Sequence, residues 1–200
     1  MTPNHNNQSV QNHSKHIFLI DDDESMRTVL KGMLEFLGFQ VYVYASAIEF
    51  LKVSMQAAPA VIITDMQMPD MSGVELQAEL LKRGRQIPII FISGESTLPQ
   101  TISAMKQGAI EFLVKPFEID ELLEAVNNAI RIELKEINLN LLIENLSPRE
   151  HEVYKLLLKG HNNQELIDKL HLSLPTVKQY KSEVMRKLNV KSLSKLIELA

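Results

Sequence analysis

The stretch VIITDMQMPDMSG, residues Val61 to Gly73, is the most informative segment of the sequence. Its first four residues have the composition of a buried β-strand, and they lead directly into Asp65. The turn-forming residues that follow, Met68–Gly73, end the strand at this carboxylate. A buried strand rarely ends on a bare carboxylate, because an unpaired charge is costly to remove from water. Asp65 is therefore a candidate functional residue, and we ask which other residues converge on it.

Four further segments have the character of strands. Ile17–Ile20, Ile89–Ile92 and Phe112–Val114 are short and apolar, whereas Gln40–Ala45 alternates and contains tyrosine, as expected nearer the edge of a sheet. Segments of helical periodicity separate them. The first helical segment places six apolar residues on one face before a terminal glycine: Met26, Val29, Leu30, Met33, Leu34, Leu37 and then Gly38. Strands that alternate with helices predict an α/β fold of five βα units around a parallel sheet.

Polar residues stand where the predicted strands end: Asp21–Asp23, Asp65, Ser93 and Lys115–Pro116. The carboxyl ends of parallel strands form the binding edge of such a sheet, so these side chains should meet. Two carboxylates about 4 Å apart repel by about 4 kcal/mol at an effective dielectric of 20, so the cluster requires a cation. Ligands that offer only oxygen atoms favour Mg²⁺.

A carboxylate nucleophile beside Mg²⁺ and a lysine is the arrangement that accepts a phosphoryl group. The alternative interpretation of Asp21–Glu24 is a solvated acidic turn that caps the next helix. That alternative leaves Asp65, Ser93 and Lys115 unexplained.

Composition limits the remaining possibilities. The chain has no cysteine, which excludes disulfides and thiolate metal sites. It has neither an apolar run of about 18 residues nor a secretory signal, so we expect a cytoplasmic protein without a membrane partner. Residues 1–145 carry 11 Lys/Arg against 19 Asp/Glu, whereas residues 146–200 carry 10 against 6. This asymmetry predicts two domains with different partners.

The sequence after Leu146 is helical throughout. Ser147, Pro148 and Glu150 form an N-cap, a first-turn proline and a capping box. The segments NNQELIDKLH and LPTVKQYKSEVMRKL follow, joined by a short turn, and then SLSKLIELA. A helix, a short turn and a basic second helix predict a DNA-binding helix-turn-helix.

The segment before Ser147 has two interpretations. It can form a short coiled-coil seam, or it can be the end of a helix followed by an irregular linker. Four apolar residues have the 4-3-4 spacing of a seam: Ile130, Leu134, Ile137 and Leu141. This spacing does not decide between the two interpretations.

Residues 15–135 resemble a response-regulator receiver domain, and TDMQMPDMSGVELQ resembles the FixJ-type subgroup closely. The resemblance implies a flavodoxin-like (βα)5 fold with strand order 2-1-3-4-5. It also implies that Asp65 is the phosphoacceptor. Asp22 would ligate Mg²⁺ directly, Asp21 through a water molecule, and Gln67 through its backbone carbonyl, with Asp65 completing the set.

The same resemblance assigns the residues that respond to the phosphoryl group. Lys115 would contact it, and the peptide bond from Lys115 to Pro116 is expected to be cis. Ser93 matches the hydroxyl that moves toward the phosphoryl group, and Phe112 matches the aromatic residue that turns inward with it. We expect Ser93 and Phe112 to lie on neighbouring strand ends. Without the resemblance, Phe112 would be interpreted as a core aromatic. We expect this relay to reshape the face around the last strand and to permit dimerisation.

Residues 146–200 resemble a LuxR-type helix-turn-helix, a small all-α domain of four helices. The matching sequence motifs are LSPRE-EV, the turn at Gly160, N-QEL, TVK and KL-V-S. The resemblance implies a recognition helix at Pro175–Leu188, although Tyr180 and Ser182 depart from the residues common in the family. It implies base-edge contacts from Lys178, Gln179 and Ser182 and further DNA contacts, mainly to phosphates, from Thr176, Lys181, Arg186, Lys187 and Lys191.

The sequence thus predicts a two-component transcriptional regulator. It would take a phosphoryl group from a partner sensor histidine kinase, form a homodimer when phosphorylated and bind double-stranded promoter DNA, with RNA polymerase as a further partner. Beyond Mg²⁺-dependent self-phosphorylation and autodephosphorylation at Asp65, it would not be an enzyme. The expected divisions are a disordered tail (1–14), a receiver domain (15–135), a helical linker (136–146) and a DNA-binding domain (147–200).

Two other functions explain less of the sequence. A phosphotransferase or phosphatase acting on an external substrate would need a second aspartate two residues after Asp65, where Gln67 stands, and a cap domain. An adaptor that binds protein or RNA through its helical C-terminus would leave the basic helix and the LuxR-type residues unexplained.

Overall fold

A computed structural model describes residues 14–53, 57–84, 86–94 and 98–198. The predicted disordered tail therefore lies outside the described residues, apart from residue 14. The chain divides into two compact units, Met1–Leu134 and Lys135–Ala200. We describe each unit by itself.

Among its described residues, the first unit has five parallel strands in the order β2-β1-β3-β4-β5, which confirms the predicted topology. The strands are β1 (His16–Ile20), β2 (Gln40–Tyr44), β3 (Ala60–Asp65), β4 (Ile89–Ser93) and β5 (Glu111–Val114). The alternating strand β2 lies at one edge, as predicted, and the nearly uniform apolar strands β3 and β4 lie inside. An inner strand is covered on both faces, which favours a nearly uniform apolar composition, and the polar residues of β3 and β4 lie at or next to their carboxyl ends.

In the described parts of this unit, five helices cover the two faces of the sheet: α1 (Glu24–Phe36), α2 (Ala47–Phe50), α3 (Gly73–Lys82), α4 (Leu98–Lys106) and α5 (Ile119–Glu144). Helices α1 and α5 pack on one face, and α2, α3 and α4 contribute to the core on the other. The single turn of α2 is too short for its apolar residues to show a helical period, so the sequence did not predict it.

The predicted apolar face of α1 is only partly buried. Leu30 and Leu34 enter the core, whereas Val29, Met33 and Leu37 remain exposed. One apolar row of α1 therefore packs against the sheet, and a second apolar row stays exposed on the outer surface of the helix.

Helix α5 continues without a break from Ile119 to Glu144. An irregular linker over this segment is therefore wrong. The helical interpretation is correct as far as Glu144, while a coiled-coil seam stays a prediction.

The second unit contains α6 (Pro148–Leu158), α7 (Asn163–Leu170), α8 (Leu174–Lys187) and α9 (Leu193–Glu198). These four helices agree with the predicted domain, and α8 begins and ends one residue before the predicted recognition helix. The capping box of Ser147 and Glu150 is present at the start of α6, as predicted. The core of this unit is apolar and includes Val153, Leu157, Leu166, Val177, Val184, Leu188 and Leu196.

Candidate functional site

Asp65 stands at the carboxyl end of β3 and is held there by its own backbone surroundings. The N–H of Gln67 donates to Asp65 Oδ1 at 2.8 Å. Gly73, the first residue of α3, lies so close that a Cβ atom there would be 2.5 Å from the Asp65 carbonyl oxygen. The turn between Asp65 and Gly73 therefore fixes both the carboxylate and the peptide that carries it.

Lys115 brings a positive charge to this carboxylate from the end of β5. Its Nζ lies 2.7 Å from Asp65 Oδ2 and 3.2 Å from Asp21 Oδ2. Burial disfavours the ammonium form, but the hydrogen bond to Asp65 and the two nearby carboxylates outweigh this, so the pKa of Lys115 is raised. The peptide bond between Lys115 and Pro116 is cis, as predicted.

The three consecutive aspartates after β1 have different surroundings. Asp21 is almost fully buried, and this burial raises its pKa against the lowering effects of the Asp23 N–H and Lys115. Asp22 is exposed at the mouth of the site. Asp23 is the N-cap of α1 and accepts from the N–H groups of Ser25 and Met26. The helix-capping interpretation is therefore correct for Asp23, while Asp21 and Asp22 lie in the acidic cluster with Asp65.

Asp21, Asp22 and Asp65 each offer a carboxylate oxygen, and these three oxygens lie within 4.8 Å of one another. The donor set contains only oxygen and carries up to three negative charges, which fits a hard divalent cation such as Mg²⁺. Lys115 alone cannot neutralise three carboxylates. The hydrogen bond from the N–H of Gln67 to Asp65 holds this residue beside the cluster. The contact of the Gln67 carbonyl with the metal stays a prediction.

Ser93 ends β4 beside this cluster. Its side chain is buried, and within the described part of the chain its Oγ has no hydrogen-bond partner. Buried hydroxyls are normally paired, so this one stands out as a group that can receive a new partner.

Phe112 is not at a strand end, contrary to the expectation that it would lie beside Ser93. In the register of β4 and β5, Phe112 pairs with Phe91, while Ser93 pairs with Val114. Phe112 therefore lies two residues back from the carboxyl edge, on the same side of the sheet as Ser93, because side chains alternate along a strand. It is partly buried against the core on that face.

Helix α8 of the second unit presents polar residues to solvent along one side. Lys178, Gln179 and Ser182 are exposed, which suits their predicted role at base edges. Thr176 is half-buried, and its Oγ1 lies 2.8 Å from Ser173 Oγ at the start of the helix. Lys191 is also exposed, in the segment after α8.

Three of the predicted phosphate-contacting residues already have protein partners. Lys181 Nζ donates to Asn163 Oδ1 of α7 at 2.7 Å, and Arg186 pairs with Glu183. Lys187 Nζ lies 2.6 Å from Glu150 Oε2, and Glu150 is buried. Lys187 therefore joins the end of α8 to the start of α6. No sequence pattern predicts this pair, because the two residues are 37 positions apart.

Together, an α/β sheet with acidic residues and a lysine at its carboxyl edge and a helical unit with an exposed basic helix define a two-part regulatory protein. Residues 17–127 match the response regulator receiver domain family, and residues 144–200 match the luxR family of bacterial regulatory proteins. The chain therefore belongs to the FixJ-related two-component response regulators.

Three relatives illustrate the similarity. Nodulation protein W of Bradyrhizobium diazoefficiens is 39% identical over 191 residues, which cover 92% of this chain and 84% of that protein. The transcriptional regulatory protein FixJ of the same organism is 33% identical over 192 residues, with 92% and 94% coverage. The solved structure of the response regulator StyR is 36% identical, has a TM-score of 0.59 and covers 93% of this chain and 98% of its own.

Membership of this family establishes the general function. The protein is a phosphorylation-controlled transcriptional response regulator, as the sequence predicted. Its receiver domain implies a histidine-kinase partner, and its luxR-family domain implies DNA binding. None of the described helices combines the length and the apolar character that a membrane crossing requires.

Proposed function

We propose that Asp65 is the phosphoacceptor and that Mg²⁺ is required for the transfer. The carrying observation is the convergence of Asp21, Asp22, Asp65 and Lys115 at one edge of the sheet. An Asp65 carboxylate oxygen attacks phosphorus and forms an acyl phosphate. The phosphorus–nitrogen bond of the kinase phosphohistidine breaks, and its electron pair stays on the imidazole, which takes up a proton from solvent.

The other residues of the site act on charge. Asp21, Asp22, Asp65 and the carbonyl of Gln67 would hold Mg²⁺, and the bound ion supplies positive charge to the oxygens of the transferring group. Lys115 lies within 2.7 Å of Asp65 and contributes a second positive charge there. With a small phosphoryl donor, the same groups would perform Mg²⁺-dependent self-phosphorylation and, with water, autodephosphorylation.

Phosphorylation would be sensed by Ser93. A phosphoryl group adds about −1.5 to −2 charges and three acceptor oxygens. The hydroxyl of Ser93, which has no partner among the described residues, can donate to one of these oxygens, and its movement would let Phe112 turn inward. The loop between β4 and α4, which this relay would also shift, lies outside the described residues apart from residue 94. We propose that the surface formed by α4, β5 and α5 changes in this way and becomes a homodimer interface. Phosphorylation-dependent dimerisation that persists in Ser93→Ala would disprove this relay.

The dimer would bind double-stranded promoter DNA through the two copies of α8 and act with RNA polymerase. Lys178, Gln179 and Ser182 would contact base edges, and Thr176, Lys181, Arg186, Lys187 and Lys191 would add contacts that are mainly to phosphates. In this proposal residues 15–135 form the receiver, 136–146 the helical linker and 147–200 the DNA-binding domain.

The first test compares wild type with Asp65→Asn after incubation with Mg²⁺ and acetyl phosphate. Intact mass and sedimentation velocity are recorded on the same samples. We expect wild type to gain one phosphoryl group and to shift toward dimer, while Asp65→Asn does neither. Asp70→Asn is the matched control, because it removes an exposed carboxylate from the same loop and should behave as wild type. Uptake of a phosphoryl group by Asp65→Asn would contradict the assignment.

The second test concerns DNA. Lys178→Ala should reduce the preference for the target sequence over random duplex, since a base-edge contact carries about 1–3 kcal/mol of discrimination. Lys191→Ala should weaken both duplexes equally and reduce the slope of log affinity against log salt by about 1. The reverse pattern would overturn these two assignments.

A further inference from the structure

Arg27 contacts the site from α1 by donating a hydrogen bond to a backbone carbonyl group. Its Nη1 donates to the carbonyl oxygen of Asp21 at 2.7 Å. No backbone N–H group in the described parts of the chain donates to this carbonyl. Asp21 follows the last residue of β1, and its N–H still donates to the carbonyl of Tyr44 in β2 at 3.3 Å. Its own carbonyl is not part of this pairing, and a buried carbonyl without a donor is rare.

The turn between β1 and α1 is otherwise fixed by short local bonds. The N–H of Asp23 donates to Asp21 Oδ1 at 2.8 Å, and the N–H of Arg27 donates to the carbonyl of Asp23 at 3.0 Å. These bonds order the chain after Asp22. The peptide plane that joins Asp21 to Asp22 includes the Asp21 carbonyl, so Arg27 fixes its rotation.

Rotation of this peptide plane sets the directions in which two carboxylates point. Asp21 precedes the plane and Asp22 follows it, and both belong to the cluster of three oxygens within 4.8 Å. We propose that Arg27 is a positioning residue that holds the Asp21–Asp22 peptide in the orientation required to bind Mg²⁺. This inference rests on the proposed function, because it assigns a supporting residue to the same metal site.

Arg27 has two effects on Mg²⁺ that are opposite in sign, and this makes the proposal testable. Its positive charge near the acidic cluster repels a cation, so loss of the charge alone would strengthen Mg²⁺ binding. Its hydrogen bond orders two ligands before the ion arrives, so loss of the bond would weaken binding. Groups that orient metal ligands typically change affinity by about 10- to 100-fold when removed.

The experiment measures Mg²⁺ binding to the unphosphorylated full chain by titration calorimetry. Arg27→Gln removes the charge and the long donor, whereas Arg27→Lys keeps the charge and one donor group. Lys31→Gln is the matched control, because it removes a cation one turn further along α1, where Lys31 pairs with Glu35. Thermal unfolding without Mg²⁺ is recorded for each variant, together with the acetyl phosphate reaction at saturating Mg²⁺.

We expect the Mg²⁺ dissociation constant to rise about tenfold in Arg27→Gln and by less in Arg27→Lys, with Lys31→Gln unchanged. The phosphorylation rate at saturating Mg²⁺ should stay within about twofold of wild type, because Arg27 acts before the transfer. Tighter Mg²⁺ binding by Arg27→Gln, or a lower thermal midpoint with unchanged Mg²⁺ affinity, would overturn the positioning role. Absence of Mg²⁺ binding by wild type would instead overturn the proposed function and this inference together.

Discussion

Replacement of Lys187 by alanine tests whether this residue serves DNA binding or the stability of its own unit. The Nζ of Lys187 lies 2.6 Å from Glu150 Oε2 and 3.4 Å from the carbonyl oxygen of Asn145. The side chains of Lys187 and Glu150 are 27% and 8% exposed, so the pair is largely removed from water. The hydrogen bond from Lys187, followed by the N–H of Ser147, lowers the pKa of Glu150. The substitution would therefore leave a buried carboxylate without its cation.

Removal of one partner from a buried ion pair typically destabilises a protein by about 3–5 kcal/mol. Glu150 keeps the hydrogen bond from the N–H of Ser147 at 2.6 Å, and Lys187 is partly exposed, which reduces the effect. We therefore expect about 2–3 kcal/mol. For a unit of this size each kcal/mol shifts the unfolding midpoint by about 4–8 °C, so the midpoint should fall by about 10–20 °C.

The assay is scanning calorimetry of the full chain, with hydrogen exchange at α6 and α8 to assign the affected transition. Arg186→Ala is the matched control, because Arg186 is the adjacent cation, is 67% exposed and pairs only with Glu183 among the described residues. An exposed pair contributes at most about 1 kcal/mol, so this variant should unfold near wild type. The double variant Glu150→Gln/Lys187→Met removes both charges and should recover most of the loss.

Equal unfolding midpoints for Lys187→Ala and Arg186→Ala would refute the structural role. DNA affinity at low temperature then separates the two functions of Lys187. A uniform loss of affinity without a loss of stability would restore the phosphate contact that the sequence predicted for this residue.

Three further predictions concern packing, a helix contact and pH. Gly73→Ala should destabilise the first unit by about 1–3 kcal/mol and slow phosphoryl uptake, because the new Cβ would meet the Asp65 carbonyl oxygen. Gly32→Ala places its Cβ in open space and should stabilise α1 by about 0.4–1 kcal/mol, so equal thermal unfolding midpoints for the two variants would contradict this. Gln77 is buried and its Nε2 donates to two carbonyls at the end of α4, so Gln77→Leu should speed hydrogen exchange there, and unchanged protection would exclude this contact as a restraint. The pKa of Glu150 is lower in the folded state, so the contribution of its ionised form to the free energy of unfolding is fully present above the unfolded pKa of about 4.3 and is lost as the pH falls through the lower folded pKa. The thermal unfolding midpoints of wild type and Glu150→Gln should therefore converge only in that acidic range.

The sequence was sufficient for the sheet and for the members of the acidic cluster. Apolar runs of strand length identify the strands, and the residue after each run lies at the carboxyl edge of the sheet for any conformation of the loops. This reasoning placed Asp65 and Lys115 correctly. The sequence was insufficient where a long side chain chooses among several partners. The side chains of Arg27 and Lys187 have many rotamers. Their partners, the Asp21 carbonyl and the Glu150 carboxylate, become buried near them only when the chain is folded. Phe112 was misplaced by two residues because strand register, rather than sequence, determines its height in the sheet.

The unpaired hydroxyl of Ser93 limits how strongly phosphorylation can switch this protein through that residue alone. A buried polar group without a partner destabilises the resting state by about 1–3 kcal/mol. Pairing this hydroxyl with a phosphoryl oxygen at Asp65 would recover about this amount, which corresponds to a change of about 5- to 150-fold in the equilibrium between the resting and active arrangements. A switch from 1:99 to 99:1 needs about 5.5 kcal/mol, so the hydroxyl supplies only part of it. The remaining free energy must come from contacts that exist only in the active arrangement. In the proposed function, the largest set of such contacts is the surface newly buried at the dimer interface. Dimerisation is on this account a component of the switch as well as its result, and the phosphorylated protein should populate the active arrangement less completely at concentrations where it is monomeric.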